Sequence, residues 1–147
     1  MAFPAEGKIT LRRAWDGITS AATRIKRIAN EYIAMSSITR LAVLEYARTL
    51  AESLAILDSN TATAGLLAYA QNELNDATIN LSAEYTAMRT QIVATQDWIV
   101  ANFPKDAVGN LVVYVFDSNK KYINVALTSG QLTAFKAQLN SLVVTIN

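Results

Sequence analysis

Residues 15–29, WDGITSAATRIKRIA, decide the fold because their apolar side chains recur at alternating steps of three and four. This spacing predicts a helix over about residues 10–35 with one apolar face, and that face must be buried against other elements. The residues on the predicted buried face are Trp15, Ile18, Ala22, Ile25, Ala29 and Tyr32.

The other side of this helix is basic. An advance of about 100° per residue groups Arg13, Arg24 and Arg27 there, with Arg12 and Asp16 nearby. Together with Lys26, the four arginines form a basic cluster. Three interpretations stay open: a solvated face, a contact with an acidic protein surface, and a contact with nucleic acid phosphates.

Two further helical segments follow. Ser36 or Ser37 can cap a second helix that ends near residues 58–60. A third segment runs from about Thr61 to Asn102, and its phase changes near the middle, so it is either one helix or two helices joined near Asn75 or Asn80. The apolar stripe expected on the second helix consists of Ile38, Leu41, Leu44, Ala47, Leu50 or Ala51, and Leu54.

The last third of the chain changes character after Phe103-Pro104, because proline disfavours helical geometry in the residue before it. Residues 111–116 and 122–127 are rich in branched and aromatic side chains, and residues 117–120 have turn chemistry, so a β-hairpin is predicted. On regular strands, Leu111, Val113 and Val115 share one face, and Val112, Tyr114 and Phe116 share the other.

A last helix is predicted after the hairpin. Thr128 and Gln131 have the spacing of a capping box, and an apolar stripe follows them from Leu132 to Ile146. We expect this helix to cover the hairpin. We also expect Trp98, with Ile99, Phe103 and Tyr114, to close the junction between the helices and the hairpin.

The composition argues against catalysis. The chain has no histidine and no cysteine among 147 residues, which removes the usual groups for proton transfer near neutral pH, thiol chemistry and transition-metal binding. Glu45 with Glu52, and Glu73 with Asp76, have spacings that place each pair on one helix face, but such pairs are common on solvated surfaces. We expect no enzyme activity, no cofactor and no bound metal, and no segment has the length and apolarity of a membrane span.

The predicted fold is mainly α: long antiparallel helices in a bundle, a C-terminal β-hairpin and a final short helix. We expect one domain over residues 1–147, with a long-helix part over residues 1–103 and a hairpin-plus-helix part over residues 104–147. Charge is unevenly distributed, since bases exceed acids by four in residues 1–48, acids exceed bases by five in residues 49–104, and bases exceed acids by two in residues 105–147.

The alanine- and threonine-rich helices, together with the segment from Trp98 through Pro104 into the Leu111–Tyr114 stretch, resemble small structural proteins of tailed-bacteriophage particles. The resemblance covers the whole chain in general character, and its most distinctive part is residues 98–146. It implies a virion subunit in the neck, tail, baseplate or capsid-associated region, assembled in the host cytoplasm and present in several copies. It transfers no functional residue to this chain.

The sequence thus favours a non-enzymatic assembly subunit that binds further copies of itself and other structural proteins. The alternative is a soluble helical adaptor or regulatory module that binds a different protein. Nucleic acid is a less favoured partner. The expected interface residues are Arg13, Arg24, Arg27, Val113, Tyr114 and Val115.

Overall fold

The computed structural model describes residues 9–31, 35–59 and 63–146, and in this part of the chain it contains five helices and one hairpin. The predicted helical bundle with a C-terminal hairpin and a final helix is confirmed. One hydrophobic core contains residues from all five helices. The elements, in chain order, are α1 Ile9–Glu31, α2 Ser37–Ser59, α3 Thr63–Leu74, α4 Leu81–Asn102, β1 Val115–Phe116, β2 Tyr122–Ile123 and α5 Ser129–Ile146.

Helices α1 and α2 pack along each other in antiparallel directions. Arg24 contacts Tyr46 near one end of the pair, and Gly17 lies beside Ser53 toward the other. A Cβ atom at Gly17 would stand 3.1 Å from the Ser53 hydroxyl oxygen, so the absence of a side chain permits this close approach. The apolar face predicted for α1 is buried from Trp15 to Ala29, as expected, and Tyr32 lies outside the described residues.

The buried face of α2 differs from the prediction in its first half. Ile38 and Leu41, expected in the core, are exposed, whereas Thr39 and Arg40 are buried. The stripe that faces the core instead steps by three and four through positions 40, 43, 47, 50, 54 and 57. The prediction for the first half of α2 was wrong because it assigned only apolar residues to the buried face, and the first residue of that face is Arg40.

Residues 63–102 form two helices, which decides between the two alternatives left open by the sequence. The backbone of Asn75 has φ 49°, a left-handed conformation that ends a helix and that asparagine tolerates well. The side chain of Asn80 then caps α4 by accepting from the Ala83 N–H at 3.1 Å. Between them, Gln71 accepts from the Leu81 N–H at 2.8 Å and donates to the carbonyl of Asp76 at 3.1 Å, which fixes the connection.

Helix α5 begins at the predicted capping box. The Thr128 N–H donates to the Gln131 side chain at 3.0 Å, and the Gln131 N–H donates to the Thr128 hydroxyl at 3.1 Å. The expectation that this helix covers the hairpin was wrong, because α5 packs mainly against α4 and α1. Its apolar stripe from Leu132 to Ile146 is buried in the hydrophobic core.

Trp98 closes a different junction from the one expected. Its ring stacks on Phe135 of α5, with ring centroids 4.6 Å apart and an interplanar angle of 2°, and meets Phe103 edge to face at 6.4 Å. Phe103 in turn meets Phe135 edge to face at 5.8 Å. Tyr114, predicted as a neighbour of Trp98, contacts Tyr122 instead.

The hairpin is shorter than predicted. Its antiparallel pairs are Val115 with Ile123 and Phe116 with Tyr122. Leu111 pairs with Lys105 across a separate isolated bridge, so residues 111–116 do not form one regular strand. The predicted alternation of two strand faces therefore fails for Leu111, Val112 and Val113, which are all half-buried. It holds from Tyr114 to Phe116, where the half-buried Val115 lies between two exposed residues.

Candidate interaction surface

The hairpin is fastened to the bundle by a buried arginine. Arg40, in the first turn of α2, has 0% of its surface exposed. Its Nη2 donates to the carbonyl oxygen of Val113 at 3.0 Å and to the hydroxyl of Ser37 at 3.1 Å, and its Nη1 donates to the carbonyl of Met35 at 3.4 Å. One cation thus holds the chain before α2 and the chain before β1 together.

The environment of Arg40 is unusual because these three partners are neutral oxygens and its Nε has no hydrogen-bond partner. Burial lowers the pKa of Arg40, and the nearby Tyr122 opposes that effect. An arginine retains its charge in proteins, so the cost of burying it must be offset by the bonds that it makes.

The chain that leaves the hairpin after β2 is bound to the same segment before and at the start of α2. The Asn124 side-chain oxygen accepts from the backbone N–H of Ser37 at 3.3 Å, and the Leu127 N–H donates to the carbonyl of Met35 at 3.3 Å. The chain entering the hairpin and the chain leaving it are both anchored on residues 35–40. The ribbon is therefore positioned by polar contacts at its base, which compensates for a strand pairing too short to be stable alone.

The hairpin turn presents two lysines. Asp117 accepts from the backbone N–H groups of Asn119 at 2.8 Å and Lys121 at 2.9 Å through the same carboxylate oxygen. Lys120 has φ 61° and donates its N–H to the Asp117 carbonyl at 3.0 Å. The turn interpretation of these residues is confirmed, and the side chains of Lys120 and Lys121 are exposed.

Aromatic side chains project from the hairpin into solvent. Tyr114 is 48% exposed, Phe116 is 61% exposed and Tyr122 is 49% exposed. Both Tyr114 and Phe116 contact the ring of Tyr122 edge to face, with centroid distances of 5.8 and 6.3 Å. The three rings form a cluster centred on Tyr122, and about half or more of the surface of each residue is exposed to water.

An apolar cleft lies beside the hairpin, between α2 and α4. These helices run antiparallel, since Asp58 meets Tyr85 and Arg89 while Ala47 lies opposite Ile99. The cleft has a volume of about 370 Å³ and is lined by Leu44, Ala47, Arg48, Gln96, Ile99, Val100 and Leu111.

The exposed Ile38 and Leu41 extend apolar surface along α2 from the base of the hairpin toward the cleft. The charged residue among those that line the cleft is Arg48. Glu45 lies one helical turn before Arg48, and Asp97 lies one turn before Val100; both acids are exposed. We call the hairpin aromatic cluster, Ile38, Leu41 and the cleft together the hairpin–cleft surface.

The three basic residues predicted as an interface lie on α1. Arg13 and Arg27 are exposed, whereas Arg24 donates to the Tyr46 hydroxyl at 3.1 Å and lies 5.5 Å above its ring, which ties α1 to α2. The nearby Lys26 donates to the Asn140 side chain of α5 at 2.9 Å. The side chain of Arg12 lies outside the described part. The basic face therefore serves the fold in part, and its contribution to an interface stays a prediction.

Of the hairpin residues predicted as an interface, Tyr114 is exposed, while Val113 and Val115 are half-buried. Val113 acts through its backbone, as an acceptor for Arg40. Sequence reasoning missed Arg40 itself. The available signal was its position three residues before Val43, in phase with the buried stripe of α2.

A second polar cluster joins α2 to α4. Arg89 contacts Asp58 through Nε at 3.1 Å and through Nη2 at 3.1 Å, and the Tyr85 hydroxyl donates to the same carboxylate. Burial and the Asp58 carboxylate raise the pKa of Tyr85 to about 12. The pKa of Asp58 is lowered, because the bonds from Tyr85 and Arg89 outweigh the opposing effect of burial. This cluster fastens the helices at the end of the molecule opposite to the hairpin.

Of the carboxylates considered for catalysis, those of Glu45, Glu52 and Asp76 lie in the described part of the chain. Glu45 and Glu52 are exposed along α2. Asp76 accepts from the Thr78 N–H at 3.0 Å and from its hydroxyl at 2.6 Å, which lowers the pKa of Asp76, and the side chain of Glu73 lies outside the described part. Among the described residues, no three acidic, histidine or cysteine side chains are grouped as metal ligands.

Comparison with protein-family models, with curated proteins and with solved structures finds no match to this chain. In the described part of the chain, none of the helices combines the length and apolarity needed to cross a membrane.

Proposed function

We propose that this chain is a non-enzymatic structural subunit that assembles in several copies through its hairpin–cleft surface. The observation that carries the proposal is the exposed aromatic cluster of Tyr114, Phe116 and Tyr122 on a ribbon whose base a buried arginine fixes. Contiguous exposed apolar surface marks contact sites, and aromatic residues are enriched at such sites. A rigid base lets the aromatic side chains meet a partner with little loss of conformational freedom.

The setting that we propose is a tailed-bacteriophage particle, in its neck, tail, baseplate or capsid-associated region. The support is the general resemblance of the sequence, together with a fold that offers shape and contact surface. Peptide mass spectrometry of purified particles tests this assignment, because a structural subunit must be present in several copies per particle. A particle that lacks the chain would contradict the setting while leaving self-assembly open.

The second candidate is an adaptor that uses the same surface to bind a different protein. The same exposed aromatic cluster supports it, because such a cluster does not reveal whether its partner is identical or different. The two functions differ in the isolated protein. A structural subunit associates with itself, whereas an adaptor stays monomeric until its partner is added.

Light scattering coupled to size-exclusion chromatography tests the proposal. We expect the wild-type protein to form a defined oligomer and the double variant Phe116→Ser, Tyr122→Ser to be monomeric with unchanged helical circular dichroism. Val144→Ser is the matched control, since Val144 is an apolar side chain 67% exposed on α5, away from the hairpin. A wild-type protein that is monomeric at every concentration would refute self-assembly.

A further inference from the structure

Residues 104–126 form an arm without a core of its own. All of them lie in the described part of the chain, and none of them is buried. The residues on either side are buried instead, since Phe103 is 1% exposed and Leu127 is 5% exposed. Phe103 packs edge to face on Phe135 of α5, and Leu127 precedes the capping box of the same helix. The arm thus begins and ends at points that the helical bundle fixes.

Few contacts hold the arm against the bundle. Leu111 is the apolar residue of the arm that packs on the hydrophobic core, and it is only half-buried. On the side where the chain enters the hairpin, Arg40 donates to the carbonyl of Val113 at 3.0 Å. On the side where the chain leaves it, the Asn124 side-chain oxygen accepts from the Ser37 N–H at 3.3 Å. A segment with few buried apolar contacts opens at a lower free energy than the structure around it.

The bond from Arg40 to the arm requires the burial of a cation. The hydrogen-bond partners of Arg40 are neutral oxygens, and within the described part of the chain its Nε has no partner. When the arm is away, water can satisfy every N–H group of the guanidinium, so the cation recovers solvation that it lacks in the docked state. This gain offsets part of the loss of the contact with Val113. The docked and undocked states are therefore closer in free energy than the number of bonds suggests.

We infer that residues 104–126 are an arm that undocks from the bundle while the helices stay folded, with Arg40 as its latch and with hinges at Phe103 and Leu127. The docked arm is the major state, and the undocked arm is a minor state in exchange with it. The inference concerns a single copy of the chain. It therefore goes beyond the proposed assembly and does not depend on it.

The docked arm controls access to the start of α2. Ser37 and Arg40 are each 0% exposed, and each of them is bonded to the arm. Ile38 and Leu41, next to them in the sequence, are 76% and 37% exposed. Undocking adds the Arg40 cation to this apolar surface. The position of the hairpin thus decides whether the start of α2 presents a positive charge.

Hydrogen exchange measured residue by residue by NMR tests the inference on the full chain, at a protein concentration where the chain is monomeric. The reporters are the N–H groups of Ser37, which donates to Asn124 of the arm, and of Leu127, which lies in the peptide group at the hinge and donates to the Met35 carbonyl. After correction for intrinsic rates, we expect both reporters to exchange at least about tenfold faster than the slowest amides of α4 and α5, because undocking alone exposes them.

Three variants distinguish undocking of the whole arm from fraying at the reporters. Leu111→Ala removes the apolar contact of the arm at a position distant from both reporters along the chain, and it should speed exchange at both by about fivefold. Val108→Ala is the matched control, since Val108 is 85% exposed on the same arm, and it should change neither reporter. Ile92→Val weakens the core of the bundle, so it should speed exchange of the slowest α4 amides by about fivefold and leave the reporters unchanged. Where Leu111→Ala lacks wild-type helicity in circular dichroism, Leu111→Val replaces it, and a smaller acceleration is expected.

The outcomes decide between an arm and a rigid hairpin. Reporters that exchange faster than the core, respond to Leu111→Ala and do not respond to Ile92→Val support the arm. Reporters that exchange as slowly as the slowest α4 amides and respond to Ile92→Val overturn it, because the hairpin then opens only when the bundle unfolds. Reporters that do not respond to Leu111→Ala also overturn it, because they then report local fraying. Either failure leaves the proposed assembly standing, since a rigid hairpin presents the same aromatic cluster.

Discussion

Replacing Arg40 tests whether a buried cation positions the hairpin. In Arg40→Ala, the carbonyl of Val113 and the hydroxyl of Ser37 lose bonds of 3.0 and 3.1 Å, and a fully buried side chain leaves a cavity. Each unsatisfied acceptor costs about 1 kcal/mol and the cavity costs about 2 kcal/mol, so we expect unfolding to become easier by about 4 kcal/mol.

Arg40→Met separates these contributions. Methionine fills most of the volume of the arginine stem, and it removes both the buried charge and the unpartnered Nε. The remaining cost is the loss of the hydrogen bonds to Val113, Ser37 and Met35, and it is partly offset because no charge is buried. We therefore expect the methionine variant to lose about 2 kcal/mol or less, clearly less than the alanine variant.

The assay is urea unfolding followed by circular dichroism, at a protein concentration where the chain is monomeric. Hydrogen exchange adds a local measurement, since both variants should lose amide protection in residues 113–127 before the helices lose it. Two results would refute the reasoning: wild-type stability in both variants, or an alanine and a methionine variant that unfold at the same urea concentration with unchanged protection in the hairpin.

Three further predictions concern the fold. Thr128→Ala removes half of the capping box of α5 and should lower the free energy of unfolding by about 1 kcal/mol in urea titrations, whereas Thr128→Ser should retain most of it. Asn75→Ala should cost about 1 kcal/mol because of the left-handed backbone at φ 49°, and Asn75→Gly should not; equal thermal midpoints for the two variants would contradict this. For Tyr85, a folded-state pKa of about 12 against an unfolded value near 10 means that the folded state retains a proton that the unfolded state releases, so stability should fall as pH rises through this interval. Tyr85→Phe should remove that part of the decrease, and identical pH profiles for the variant and the wild type would be the contrary result.

The positions of the helices could be predicted from the sequence because apolar periodicity and helix-capping or helix-ending residues act locally. The buried face of α1 needed only the spacing of its apolar residues, and the ends of α4 needed only Asn80 and Phe103-Pro104. The capping box of α5 was likewise visible as a pair three residues apart. Each of these features involves residues within one or two turns of each other, for which local propensity decides the structure.

Contacts between distant elements were less accessible. The stripe that covers the core on α5 could have faced the hairpin or the groove between α1 and α4, since its spacing fixes a buried face and not the partner. Trp98 likewise had several aromatic candidates at similar distances along the chain, and it stacks on Phe135 because α4 and α5 are neighbours. The strand length was overestimated because Leu111 lines the cleft and the carbonyl of Val113 accepts from Arg40, so neither residue is part of the hydrogen-bonded strand pair.

The candidate surface was only half predictable. Exposed aromatic residues in a hairpin followed from a strand that is apolar on both faces. The participation of α2 did not follow, because an arginine is ordinarily assigned to solvent and a leucine or isoleucine to the core. Here Arg40 is buried, and Ile38 and Leu41 are exposed in its place.

The central claim is that copies of this chain meet through the hairpin–cleft surface. Hydrogen–deuterium exchange of the wild-type protein at low and high concentration tests it most directly, because it locates the contact without altering a residue. We predict that amide protection rises with concentration in residues 113–123 and in the segments around Ala47 and Ile99. A further rise on α1 would add its basic face to the contact. Protection that does not change with concentration, or that rises only on α1, would contradict the account.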